Sequence, residues 1–166
     1  SCDEEVIKKQ IKKKSKPEDV ARILSYQKAK SISEKKKYFN YNVIGCDTLI
    51  KLGDKIFDKA KNNKEALLKL KKLSGKKHKI ISSLTICNQG LKIWECSETT
   101  VVEIRKLTTK QIEGYLKKSG KQILQSVGCY QLEALGPQII KDIKGDFFNV
   151  MGLPLFKLLK YVFNEQ

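Results

Sequence analysis

Arginine is almost missing from this 166-residue chain: only Arg22 and Arg105 occur, although lysine and arginine together number 34. The net charge of +16 is therefore a lysine charge. Proteins that read base edges depend on the bidentate arginine fork, and no aromatic-plus-basic stacking motif accompanies these lysines. Runs such as Lys12-Lys13-Lys14 and Lys35-Lys36-Lys37 read as solvated faces, and nucleic acid is not the expected partner. A positive field still draws in small polyanions, a nucleotide included. With a single histidine, His78, and five cysteines in no C-x-x-C pair, the chain offers no zinc constellation. Reduced thiols in a cytoplasmic protein are the simplest account; Cys46 beside Asp47 reads as a packing residue before a reactive one. No apolar run approaches the ~20 residues of a membrane helix, so no membrane is expected. The acidic opening Ser1-Cys2-Asp3-Glu4-Glu5 does not resemble a secretory leader.

What is present suits one globular domain with a real core: 40% hydrophobic and 31% charged residues, no internal repeat and no linker-like stretch. Ser15-Lys16-Pro17-Glu18 reads as a capping box opening a helix to about Glu34, with Val20, Ile23, Leu24 and Ile32 as a broken stripe. Lys28 lies one turn beyond Leu24, at the edge of that stripe. Tyr41 to Ile44 reads as a buried strand stopping at Gly45, which places Asp47 just past a strand end, facing a cleft. Leu49–Leu52 and Lys55–Phe57 form a hairpin about Gly53-Asp54. Asn62 with Glu65 reads as another capping box, opening a helix that carries Ala66, Leu67, Leu70 and Leu73 and is closed by Gly75. His78–Cys87 and Leu91–Lys106 read as strands joined at Asn88-Gln89-Gly90. Thr108 with Gln111 caps a helix to about Gly120. A strand near Gln138–Ile143, a second to Val150 and a helix opened by Pro154 complete a mixed α/β chain.

Three acidic positions, Asp3 with Glu4, Asp47 and Glu133, and two lysines, Lys28 and Lys59, form the candidate site. Hard carboxylate oxygens suit magnesium, which binds through one or two carboxylates plus substrate phosphates. Lysines suit the phosphates. On spacing alone such residues fit any lysine-rich α/β domain.

The order of short motifs adds to this. Ile44-Gly45-Cys46-Asp47-Thr48 resembles the Gly-Ala-Asp-Thr motif of the Maf family of nucleotide pyrophosphatases, the septum-formation-inhibitor-like proteins. Gln27-Lys28-Ala29 resembles its Lys-Ala helix motif, and Leu73-Ser74-Gly75 with His78 its Leu-Ser-Gly-x-x-His. Gly128-Cys129-Tyr130 is similar to its Gly-Ala-Tyr. Gly145-Asp146-Phe147, Val150 and Gly152-Leu153-Pro154-Leu155 match its C-terminal signature. The resemblance covers essentially the whole chain.

It implies a Maf/ITPase-like α/β fold, a mixed twisted β-sheet flanked by helices with a cleft between two lobes. It implies hydrolysis of nucleoside triphosphates, modified or non-standard ones included, to the monophosphate and pyrophosphate. Asp47 becomes the general base and a metal ligand. Asp3 and Glu4 match the early acidic pair that helps hold a divalent cation, magnesium or manganese. Lys28 and Lys59 match lysines that contact the triphosphate, and a homodimer is implied by analogy. The family opens with a strand and a Ser-x-Ser-x-x-Arg-like loop, whereas this chain starts at the acidic pair. The expectation is a single Maf-like domain, 1–166, truncated before that pair and lacking the phosphate-binding loop. Asp58-Lys59-Ala60 stands where the family shows Gly-Lys-Pro, which implies a less rigid loop. In Tyr130-Gln131-Leu132-Glu133-Ala134, Glu133 replaces the glutamine of the pyrimidine-preferring branch. It resembles the branch acting on 7-methyl-GTP, so Glu133 is expected to select the base, with Thr48 shaping its pocket. The competing expectation is a non-catalytic basic protein that binds nucleic acid or a cell-division partner. Steeply salt-dependent nucleic-acid binding, unchanged by Asp47→Asn, would distinguish it.

Overall fold

The computed structural model describes residues 16–164. Its elements run α1 (Pro17–Ser33), β1 (Val43–Leu52), β2 (Lys55–Phe57), α2 (Asn63–Leu73), β3 (Lys77–Asn88), β4 (Leu91–Ile104), α3 (Thr109–Ser119), β5 (Ile140–Lys144), α4 (Phe147–Val150) and α5 (Leu155–Val162). The five strands form one open sheet in the order β2-β1-β3-β4-β5. The α/β class expected from the sequence holds, with helices flanking the sheet. Its pairing is antiparallel where a mixed sheet was expected. Tight turns account for two of the neighbouring pairs: β1 returns into β2 through Gly53 (φ 57°), and β3 into β4 through Gln89 and Gly90 (φ 50° and 79°). Residues that accept positive φ at a two-residue turn make hairpins, and hairpins make antiparallel neighbours. β5 closes on β4 with Val102 opposite Ile143.

The expected helix caps fare differently. Asn62 accepts from Glu65 N and opens α2, and Thr108 with Gln111 forms a full capping box on α3. α1 has Lys16 at its N-cap, whose side chain makes no capping bond. Pro17 in its first turn, with Glu18 and Asp19 against the positive end of the helix dipole, supports that start instead; Ser15 lies outside the described residues.

Two strand expectations are corrected. β1 does not stop at Gly45 but continues to Leu52, so Asp47 sits within a strand rather than beyond one. Glycine inside a strand also marks close approach of another backbone, and that is its role here. The segment to Val150 is not a strand but the short helix α4. Asp146 accepts from Phe148 N at 2.8 Å and caps it, and a four-residue segment has too little periodicity to distinguish the two.

The chain divides into two compact units. Of the described residues, the first takes in 16–48, Ile81–Thr99 and 152–164; the second holds Leu49–Ile80 and Thr100–Met151. In the second, Leu70, Leu73, Ile80, Ile104, Ile112 and Tyr130 are buried in one apolar core. In the first, Leu84, Ile86 and Leu158 pack with Trp94 and Leu153. No helix among the described residues is long and apolar enough to cross a membrane.

Candidate active site

The face that α1 turns to the first unit is built from small residues. Ala21, Ser25, Ala29 and Ser33 recur every fourth position and are all buried, whereas the expected Ile23 and Ile32 are only half-buried. A ridge without bulk allows a helix to lie close on a strand. Gly45 completes that contact. A Cβ there would run into the carbonyl oxygen of Ser25 and come within 2.6 Å of Ala29 N. Ser25 also hydrogen-bonds Thr85 of β3 at 2.8 Å, tying the same face of the helix to the neighbouring strand.

This contact brings the chemistry together. Asp47, two residues beyond Gly45, lies on the same face of β1 and is only 5% exposed. Lys28, adjacent to Ala29 on α1, reaches it: Nζ lies 2.5 Å from Asp47 Oδ1 and donates to the Cys46 carbonyl at 3.4 Å. The lysine anticipated at the edge of the helix stripe is thus an ion-pair partner rather than a snorkelling side chain. Its side chain keeps 35% exposure, so its charge is presented to solvent as well as to the carboxylate.

The alternate residues of β1 do different work. Cys46 Sγ donates to the Gly152 carbonyl at 3.0 Å. Thr48 Oγ1 hydrogen-bonds Ser82 Oγ at 2.9 Å and lies 3.4 Å from the same carbonyl. Thr48 therefore faces away from Asp47 and anchors the Gly152-Leu153-Pro154 turn. Burial, and next the Asp47 charge, push the Cys46 thiol up to about 11. A thiol held protonated is a poor nucleophile, which agrees with its reading as a packing residue.

Lys59 and Glu133 are exposed residues of the second unit, on the segment after β2 and the loop after Tyr130. Asp3 and Glu4 lie outside the described residues. Among the described residues no cluster of three or more His, Cys, Asp or Glu side chains could hold a metal ion. Asp47 is the described member of the expected ligand set. A lone buried carboxylate suits magnesium, whose shell is commonly completed by substrate phosphates.

Other motif residues serve as braces in the second unit. His78 Nε2 lies 2.6 Å from Tyr130 Oη, joining β3 to the Gly128-Cys129-Tyr130 loop. Asn149 is fully buried and donates to Thr100 Oγ1 and the Ile80 carbonyl. Gly145 has φ 123°, and a Cβ there would press on Thr100 at 3.1 Å. Burial holds the His78 imidazole down to about 4 from its usual 6.5. The folded state thus favours the neutral ring, and the unfolded chain binds the proton first. The stabilisation is complete above the ordinary value and is lost as pH falls through the window from about 6.5 to about 4, by at most about 3 kcal/mol. Urea midpoints at pH 7.5 and 4.5 should show that drop, and His78→Gln should lessen it.

Sequence reasoning missed three contributors. Ser82 carries no sequence signal, and Gly152 was legible as part of a motif but not as the acceptor for Cys46 and Thr48. Lys69 carried a signal: it sits three residues after Ala66 and four before Leu73, on the buried face of α2.

These motif residues occupy the chain in one order and with distinct structural duties, and comparison with known proteins gives the chain its family. The chain belongs to the Maf family, matching the family described as Maf-like protein over residues 1–164. It is 39% identical over 159 residues to the 7-methyl-GTP pyrophosphatase of Bartonella quintana (strain Toulouse), covering 96% of this chain and 79% of that one. The 7-methyl-GTP pyrophosphatase of Brucella abortus biovar 1 (strain 9-941) is 39% identical, with 90% and 74% covered. The nucleoside triphosphate pyrophosphatase of Bradyrhizobium diazoefficiens is 32% identical, with 93% and 75% covered.

Proposed function

We propose that this chain hydrolyses nucleoside triphosphates to the monophosphate and pyrophosphate, with Asp47 as the general base. The observation that carries the reading is the buried Asp47 carboxylate held at 2.5 Å from Lys28 on the Gly45 contact. Membership of a family whose relatives are named as pyrophosphatases supports it. Water attacks the α-phosphorus and its proton passes to Asp47. The bond to the bridging oxygen breaks, and pyrophosphate leaves with the electron pair. Lys28 and Lys59 grip the phosphates. Magnesium or manganese, held by Asp47 with Asp3 and Glu4, supplies neutralisation of phosphate charge when bound. An enzyme must take at least ~8 kcal/mol off the barrier, and a general base contributes only ~10²–10⁴-fold. The remainder falls to positive charge placed on the phosphates and the leaving group.

Glu133 is proposed to choose the base. A carboxylate accepts from the N–H edge of a guanine, which a glutamine meets only in part. Thr48, with its hydroxyl turned to Ser82, contributes by fixing β1. The test is pyrophosphate release from a panel of triphosphates with magnesium or manganese. The 7-methyl-GTP rate should exceed those of dTTP and UTP, and Glu133→Gln should cut that preference by about tenfold or more, the loss of one charged hydrogen bond. Faster turnover of the two pyrimidine nucleotides would sink the specificity assignment, and no release from any member would sink the function.

A further inference from the structure

A buried ammonium in the second unit has no part in the chemistry so far described. Lys69, on α2, is only 9% exposed. Its Nζ donates to the backbone carbonyl of Asp58 and, at 3.0 Å, to that of Val127. Its neighbours on the helix face, Ala66, Leu70 and Leu73, are fully buried and apolar. A leucine or methionine would fill the position without the several kcal/mol that burying an ion costs. Burial lowers the Lys69 pKa, as that cost requires.

The two carbonyls are informative by position. Asp58 directly precedes Lys59, and Val127 opens the loop of Gly128, Cys129 and Tyr130 that leads to Glu133. Neither segment is held by a regular strand or α-helix. Within the second segment Cys129 takes φ 55°, a backbone state disfavoured for a side-chain-bearing residue. Cys129 N donates to the Ser126 carbonyl, and Ser126 Oγ donates to the Tyr130 carbonyl at 2.6 Å. The loop is therefore folded on itself, and Lys69 is a point at which it is tied to the Lys59 segment. The Asp58-Lys59-Ala60 stretch has no proline to stiffen it, and the lysine supplies from the side what a proline ring would supply from within.

We propose that Lys69 is a positioning residue, which ties the Asp58 and Val127 carbonyls together and so sets the placement of Lys59 on the phosphates and of Glu133 on the base. This assignment rests on the pyrophosphatase reading for its ligand but not for its geometry. The two are separated by using inorganic tripolyphosphate as a binding probe alongside hydrolysis.

Lys69→Met keeps the length of the side chain and removes its donors; Lys69→Gln keeps a donor without the charge. Hydrogen exchange of the unliganded protein should be faster in Lys69→Met at residues 58–61 and 127–131, and unchanged in α1 and β1. Tripolyphosphate affinity by calorimetry should fall about tenfold. KM for the preferred triphosphate should rise by a similar factor while kcat stays within about threefold, because Asp47 and Lys28 are untouched. Lys69→Gln should recover most of the loss. Unchanged exchange and affinity in a folded Lys69→Met would overturn the assignment, as would equal losses in kcat and KM terms that Lys69→Gln fails to relieve. If Lys69→Met does not fold, Lys69→Leu, which likewise has no donor and suits the apolar face of Ala66, Leu70 and Leu73, decides the matter on the same readouts. A wild type that hydrolyses nothing, yet binds tripolyphosphate with the expected loss in Lys69→Met, would sink the hydrolysis and support the clamp.

Discussion

Asp47→Asn should lower kcat for pyrophosphate release by about 10²–10⁴-fold, the contribution of a positioned general base, while leaving the protein folded. The substitution keeps the shape of the side chain and one oxygen to face Lys28 Nζ, now 2.5 Å from the carboxylate. It removes the group that takes the proton from water. It also removes a negative charge from a site only 5% exposed, which leaves the Lys28 ammonium without its Asp47 charge. Triphosphate affinity should therefore hold or rise as kcat falls, because an added anion meets less repulsion. Steady-state kinetics with the circular dichroism spectrum as a folding control gives both quantities. A fall in kcat/KM carried wholly by KM would remove Asp47 from the chemical step.

Gly45→Ala should be the most damaging single methyl in the first unit. The added Cβ meets the Ser25 carbonyl and lies 2.6 Å from Ala29 N, and both are backbone atoms that cannot rotate aside. The helix must lift from the strand. Overpacking of this kind costs ~1–3 kcal/mol and occasionally more, and the upper part of that range is expected because α1 and β1 touch here through main chain. The functional loss should exceed the loss of stability. Lys28 adjoins Ala29, so a shift of about an ångström takes its ammonium out of hydrogen-bond reach of Asp47. Misplacement on that scale can cost about a hundredfold in rate. Urea denaturation measures the first effect and pyrophosphate release below the unfolding midpoint the second. A Gly45→Ala protein with wild-type stability and rate would show that the close contact has no role in placing Lys28.

The contrast between these two residues shows what the sequence alone revealed. Asp47 was legible because acidic chemistry beside a strand is conspicuous, and because the motif around it resembles a known family's. Gly45 was legible as a member of that motif and as punctuation, not as a point of contact with a helix. The same glycine that ends a strand in one context admits a helix in another, and the difference lies in Ala21, Ser25 and Ala29, more than a dozen residues away in the chain. The caps at Asn62 and Thr108 were readable because the partners of a capping bond lie three residues apart. The α4 helix was not, because its cap, Asp146, and its buried polar residue, Asn149, surround too few residues to display a period. Lys69 was obscured for a different reason: a lysine in a lysine-rich chain looks like surface, and only its place on the Ala66–Leu73 face argued otherwise.

The division of labour along β1 makes the strand intolerant of a change in frame. Gly45 and Asp47 serve α1, while Cys46 and Thr48 serve the Gly152 turn. A slip of β1 by one residue against its partner strands would exchange the two sets, turning a carboxylate toward the turn and a thiol toward Lys28. Length variation ahead of β1 must therefore be absorbed in the stretch between Ser33 and Val43, where an extra residue leaves the alternation intact.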